Sequence, residues 1–210
     1  EISKRSPTTV PIHILNNPAI TVYELNLKKT KQDGFSFCGN VGRMQRIPIL
    51  LKSIETYFKR GGKLKFTFAG YGLYEKKLQK FSENYELFEF YGRVLPIEAA
   101  RITASYKWAL LPIEDEVTRF AFPSKTSSYI YAHAKILSIC GFETSVAKWV
   151  MQNKLGINVL PDVEMLVETF FKIEKGTINP SKNSKILKRL KSKLSMEIFI
   201  KEIYSIIFNQ

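Results

Sequence analysis

The sequence predicts an α/β domain with a doubly wound parallel sheet. Three observations carry that prediction. Short apolar runs with strand character alternate five times with helical patterns, an alternation that forces right-handed crossovers and puts helices on both sheet faces. Four of the runs end in glycine, at Gly39, Gly70, Gly92 and Gly141, where a strand must turn into a helix. The chain of 210 residues is 45% hydrophobic and 13% aromatic, enough for a substantial core.

Residues 1–33 are read as an N-terminal segment and interdomain linker. They start polar, hold a short apolar piece at Ile12–Leu15 and turn at Asn16-Asn17-Pro18. The opening Glu1-Ile2-Ser3-Lys4 lacks the apolar centre of a leader peptide. Lys28 to Gly34 reads as loop or linker.

Residues 34–172 carry the regular pattern. Phe35–Gly39 is the first expected strand. Ile47, Leu50, Leu51, Ile54, Tyr57 and Phe58 then share one helical face, and Gly61-Gly62 stops that helix. Lys65–Gly70 is the second strand, followed by a helix over 73–81. Phe88–Gly92 is the third strand, with a helix over 97–106. Trp108–Ile113 is the fourth strand, and a helix over 125–134 follows. Lys135–Gly141 is the fifth strand, then a helix over 146–155. Gly156–Leu160 is a short sixth strand, and Pro161 opens a helix through Phe171. Phe37, Phe68, Phe90, Leu110 and Ile139 are expected to lie buried in neighbouring strands, in the order 3-2-1-4-5-6. Residues 173–210 read as C-terminal helices packing on the domain, with a break at Asn179-Pro180.

Composition narrows the partners. Lys and Arg number 32 against 19 Asp and Glu, a net charge of +13 that favours anionic ligands or surfaces. Much of the tail's charge, at Lys182, Lys185, Lys188, Arg189, Lys191 and Lys193, fits the solvated face of an amphipathic helix. Lysine without interleaved aromatic residues does not make a nucleic-acid motif, so no nucleic-acid partner is expected. No apolar run reaches the roughly 18 residues that span a bilayer. Cys38 and Cys140 each close an apolar run and read as buried thiols of a reducing compartment. Two histidines, His13 and His133, are too few for a histidine metal site.

Two stretches carry chemistry. In Phe122-Pro123-Ser124-Lys125-Thr126-Ser127-Ser128, Pro123 and Ser124 are helix-start residues, and the serine side chain can accept from a free N–H. A helix start at a strand end attracts anions, and Lys125 adds a full charge there. Gly39-Asn40-Val41-Gly42-Arg43-Met44-Gln45 offers two glycines and a cation at another strand-to-helix turn, as a pyrophosphate cradle requires. It is neither G-x-G-x-x-G nor a Walker A loop. Glu114-Asp115-Glu116 supplies hard oxygen ligands at a strand end and could hold Mg²⁺.

The ordered set is more specific than its pieces. It runs Gly39-Asn40-x-Gly42-x-x-Gln45, Ala69-Gly70-x-Gly72, Phe90-Tyr91-Gly92-Arg93-Val94, Leu111-Pro112, then Phe122-Pro123-Ser124-Lys125 and Tyr129. Across about residues 34–165 it resembles the nucleotide-sugar-binding, C-terminal domain of GT-B glycosyltransferases of the family 4 kind. The resemblance implies a hexosyltransferase that moves sugar from a UDP- or GDP-sugar to a glycan or lipid-linked acceptor, in polysaccharide or glycoconjugate synthesis. It implies that Gly39, Asn40, Gly42, Arg43, Gln45 and Lys125 hold the donor diphosphate. Gly70, Gly72, Gly92, Arg93, Val94 and Ser128 would hold base and ribose, and Phe122, Pro123, Ser124 and Thr126 would form the donor loop. No cofactor or metal is implied, because lysine and helix dipoles neutralise the leaving group. The acceptor half of such an enzyme lies N-terminal to this region, so activity is expected only with that half. A cytoplasmic enzyme is expected, whose basic C-terminal helices could also dock on an anionic membrane face. The family's paired glutamates fall here on Phe120 and Ser128. No general base or nucleophile is assigned. The alternatives are a non-catalytic Rossmann-like interaction domain and a basic nucleic-acid-binding module.

Overall fold

The computed structural model describes His13, Leu15, Pro18, residues 30–180 and residues 184–208. Ile12 and Ile14 of the Ile12–Leu15 piece, Asn16-Asn17 of its turn, the Lys28-Lys29 start of the linker and Lys182 of the tail lie outside the described residues. Six strands form one parallel sheet: β1 (Gln32–Cys38), β2 (Lys65–Ala69), β3 (Phe88–Phe90), β4 (Tyr106–Pro112), β5 (Lys135–Ile139) and β6 (Gly156–Val159). Their order is β3-β2-β1-β4-β5-β6, the doubly wound arrangement expected from the alternation. The helices are α1 (Ile47–Lys59), α2 (Glu75–Asn84), α3 (Pro96–Ser105), α4 (Lys125–Tyr131), α5 (Ser145–Gln152), α6 (Val163–Glu174), α7 (Ser184–Lys193) and α8 (Met196–Phe208). The structure thus has the α/β, Rossmann-like fold that the sequence predicts.

Aromatic residues build the larger core. Phe35 and Phe66 are register neighbours on β1 and β2 and stack at 4.9 Å. Phe37 and Phe68 repeat the pairing at 5.2 Å, and Phe68 meets Phe88 at 4.9 Å. Each such pair contributes about 0.5–1.5 kcal/mol beyond its buried area. α1 covers this layer with Ile47, Leu50, Leu51, Ile54 and Tyr57, spaced for one helical face, and α6 lies against it. The Tyr57 hydroxyl donates to Glu174 at 2.9 Å and accepts the Leu64 N–H at 3.0 Å, pinning α1 to α6 and to the start of β2. α4 and α5 pack a second core on Ala109, Leu111 and Ile136, while α3 contacts β1, β4 and α4. α7 meets α4 and lays Leu187, Leu190 and Leu194 on that second core; α8 contacts α7.

Element bounds shift by up to three residues from the sequence expectation, as at α2, α5 and α6, and four differences have a visible cause. β1 begins at Gln32, so Gln32 to Gly34 are strand: they pair with β2 and β4 instead of crossing solvent. Tyr106 opens β4 instead of ending α3, since its buried hydroxyl bonds Thr67 Oγ1 at 2.6 Å. Phe90 is only half-buried, because β3 is a three-residue edge strand, whereas Phe37, Phe68, Leu110 and Ile139 are fully buried. α4 stops at Tyr131, three residues early, because His133 turns left-handed at φ 51° to bring the chain into β5.

Candidate functional site

The turns leaving β1, β2 and β3 are bonded edge to edge at the carboxyl end of the sheet. The Gly39 N–H donates to Ala69 O at 2.9 Å, and the Gly70 N–H to Gly92 O at 2.6 Å. Val41 N–H donates to Tyr71 O and Tyr74 N–H to Val41 O, both at 3.0 Å. This closeness demands glycine. Gly70 has φ 151°, and a Cβ there would stand 1.7 Å from the Gly39 carbonyl oxygen. Gly39, at φ 144°, leaves room for another group instead: a Cβ on it would come within 2.7 Å of Lys125 Nζ.

Lys125 is therefore delivered to the β1 exit from a residue 86 positions away in the chain, the difference between 125 and 39. Tyr129 holds its helix in place by donating to the Leu110 carbonyl at 2.8 Å. The ammonium sits 4.1 Å from the Phe37 ring centroid. Among the described residues no carboxylate pairs with it. Burial pushes its pKa down to about 8, an effect that the neighbouring Cys38 partly opposes. Burial pushes the Cys38 thiol up to about 11, so this half-buried cysteine stays protonated. A cation held without a counter-ion in a semi-apolar niche is costly for the free protein, and an entering anion relieves that cost.

The rest of the expected diphosphate set is arranged differently from the simple cradle. The Gly42 N–H is already satisfied by Gln45 Oε1 at 3.2 Å, so Gln45 closes the turn. Arg43–Gln45 form a 3₁₀ turn, and only after Arg46 does α1 begin. Asn40 lies inside the turn, its Oδ1 facing Gly42 and Gly72. Arg43 is exposed, and no ion pair engages it among the described residues.

The start of α4 also corrects an expectation. Ser124 makes no cap, because its backbone is already helical at φ −60° and ψ −29°, which keeps its hydroxyl from the free N–H groups. Thr126 N–H instead donates to Pro123 O and Ser127 N–H to Ser124 O, both at 3.2 Å. The Thr126 hydroxyl turns back to Pro123 O at 2.7 Å. At this helix start the cationic group is thus the Lys125 side chain. Phe122 packs edge-on against Trp149 at 5.2 Å, which fixes the loop before the helix.

The expected base and ribose residues split into two places. Gly70, Gly72, Gly92, Arg93 and Val94 gather at the β2 and β3 exits. There Arg93 stacks 4.6 Å over Tyr71, and a cleft of about 660 Å³ opens between Gly72, Leu73, Glu75, Tyr91 and Gly92. Ser128 lies on α4, beyond β4, three strands from β3. Tyr71, Leu73, Tyr91, Leu95 and Met44 are exposed around this end of the sheet, and Phe120 is 77% exposed.

The residue that the motifs passed over is Arg46. Its guanidinium binds Asp115 Oδ1 at 2.8 Å and Glu114 Oε2 at 3.0 Å. The acidic run is thereby engaged by an arginine, and among the described residues no cluster of metal-ligating side chains forms. A basic residue just before a helix, and acids just after a strand, was the available signal.

These turns sit on a fold that has known counterparts. The pneumococcal O-GlcNAc transferase GtfA, solved with UDP and GlcNAc, superposes with a TM-score of 0.60 at 11% identity over 85% of this chain and 36% of that one. The chain has the fold of a GT-B glycosyltransferase half. A point mutant of S. aureus TarM, solved with UDP among its ligands, gives a GT-B match of TM-score 0.55 at 14% identity, over 92% of this chain and 37% of that one. WaaG, a glycosyltransferase of lipopolysaccharide biosynthesis, gives 0.55 at 12% identity, over 86% and 48%. The chain spans about a third to a half of the length of these GT-B structures. No protein-family model and no curated protein matches the sequence.

Proposed function

We propose that this chain is the donor half of a glycosyltransferase and binds a nucleoside diphosphate sugar across the carboxyl ends of β1 to β4. The single observation that carries this reading is the Lys125 ammonium. It is seated against Gly39 and lacks a carboxylate partner among the described residues. When the glycosidic bond breaks, negative charge collects on the leaving diphosphate, and a fixed cation in a semi-apolar niche stabilises that charge. The Gly70–Gly72 and Gly92–Val94 turns, with the Arg93–Tyr71 stack, form the platform for the nucleoside. GtfA and TarM were both solved with UDP, which supports a uridine donor as the first to try. Transfer needs a second, acceptor-binding half, and the exposed apolar side chains around the sheet end are suited to face it.

Calorimetry with UDP, GDP and the matching nucleosides tests the reading. Lys125→Ala should weaken diphosphate binding tenfold to a hundredfold, since a charge-assisted bond to phosphate contributes about 1.5–3 kcal/mol. Nucleoside affinity should stay the same. Diphosphate binding by Lys125→Ala as tight as by the parent would sink the assignment. Phe120 and Ser128 favour a second reading, in which the domain binds the donor without transferring it. Donor binding with no donor hydrolysis or transfer by the protein joined to its other half would decide for that reading.

A further inference from the structure

Arg46 joins the Arg43–Gln45 turn to α1 with a left-handed backbone, φ 47°. A non-glycine residue is strained there and persists when its surroundings over-determine it. The surroundings are specific. The Arg46 side chain is only 14% exposed, and Nε donates to the Ile113 carbonyl at 2.8 Å. Nη2 donates to Asp115 Oδ1 at 2.8 Å. The same Oδ1 accepts the Gly141 N–H at 3.0 Å. Alongside, the Glu114 N–H donates to Met44 O at 2.9 Å, and the Thr118 hydroxyl holds the Asp115 carbonyl at 2.7 Å. The turns after β1, β4 and β5 therefore meet at the Arg46 guanidinium and its carboxylates, Asp115 and Glu114.

We propose that Arg46 is a positioning residue that latches the Gly39–Gln45 turn to the exits of β4 and β5. The reason lies in the sheet order. Towards β2, the turn is held by the backbone bonds of Gly39, Val41 and Tyr74. Towards β4, it is held by Met44 O and the Arg46 side chain. Lys125 enters from the β4 side, so the Arg46 contacts set how far the turn stands from the ammonium. A planar guanidinium can bond a carbonyl and a carboxylate together, which an ammonium cannot do with the same geometry. The part of this inference that concerns ligand rests on the nucleoside diphosphate reading; the latch itself is measurable without ligand.

The test combines hydrogen exchange with calorimetry on Arg46→Ala, Arg46→Lys, Asp115→Asn and the Arg46→Ala/Asp115→Asn pair. In ligand-free Arg46→Ala, exchange at the Glu114 and Gly141 amides should accelerate about tenfold, while α1 and β2 keep their protection. UDP or GDP affinity should fall about tenfold, with uridine or guanosine affinity unchanged. Arg46→Lys should recover part of the loss. The double variant should lose less than the two single losses added together, as for residues that share a contact; a fully additive loss would overturn their action as one latch. Unchanged exchange at Glu114 and Gly141 would overturn the latch. Faster exchange with unchanged diphosphate affinity, or equal losses for nucleoside and diphosphate, would overturn the positioning role. If the parent protein binds neither UDP nor GDP, the donor reading and the positioning role both fall, and exchange alone still decides the latch.

Discussion

Raising the pH from 7 to 9 should release a nucleoside diphosphate from this protein, with Lys125 as the cause. With its pKa near 8, Lys125 is about nine-tenths charged at pH 7 and about one-tenth charged at pH 9. The diphosphate gains nothing over this range, because the last phosphate proton leaves near pH 6. If only the charged ammonium holds the phosphate, affinity falls about tenfold, or about 1.4 kcal/mol. A bound diphosphate, fully ionised in this range, also raises the pKa of Lys125, so binding at pH 8 to 9 takes up a proton. Calorimetry in two buffers of different ionisation enthalpy reads that uptake directly. Lys125→Met should bind more weakly at pH 7, show a flat pH profile and take up no proton. The stability sign is opposite. The folded pKa lies below the ordinary lysine value of 10.5, so the cost of holding the charge is fully present below pH 8 and is relieved as pH rises from 8 to 10.5. Lys125→Met should therefore melt higher than the ligand-free parent at pH 7. A parent profile without slope, or a Lys125→Met variant with the parent's slope and proton uptake, would refute the assignment.

Three further outcomes are expected. Gly70→Ala must find room for a Cβ that would stand 1.7 Å from Gly39 O at φ 151°, so it should lose at least about 1–3 kcal/mol in urea unfolding; an unchanged midpoint would contradict the close approach of these turns. Tyr129→Phe leaves the Leu110 carbonyl without its donor in a buried place and should cost about 1–3 kcal/mol, with weaker diphosphate binding because α4 carries Lys125; a neutral change in both readouts would show that this anchor does not place the lysine. EDTA should leave nucleoside diphosphate affinity unchanged, since Asp115 is engaged by Arg46 and Gly141; affinity lost in EDTA and restored by Mg²⁺ would reopen the acidic run as a metal site.

The alternation of apolar runs and helical faces determined a parallel sheet with right-handed crossovers, and the order 3-2-1-4-5-6 is the commoner of the doubly wound orders that such a pattern allows. That order already implied that Gly39 and Lys125 are neighbours, since β1 and β4 adjoin at the switch point. Side-chain allegiance was not legible in the same way. Gln45 spends its amide on Gly42, Ser124 declines the cap its residue type suggests, and Phe90 stays half-buried at a sheet edge. Each outcome depends on backbone angles or strand position that a local pattern does not carry. The pairing of Arg46 with Asp115 spans 69 residues and arises only when the exits of β1, β4 and β5 are brought together. Charge and motif place a cation near a strand end. Which cations pair with carboxylates, as Arg46 does, and which do not, as Lys125 and Arg43 do not among the described residues, depends on what the tertiary fold sets within about 3 Å of each.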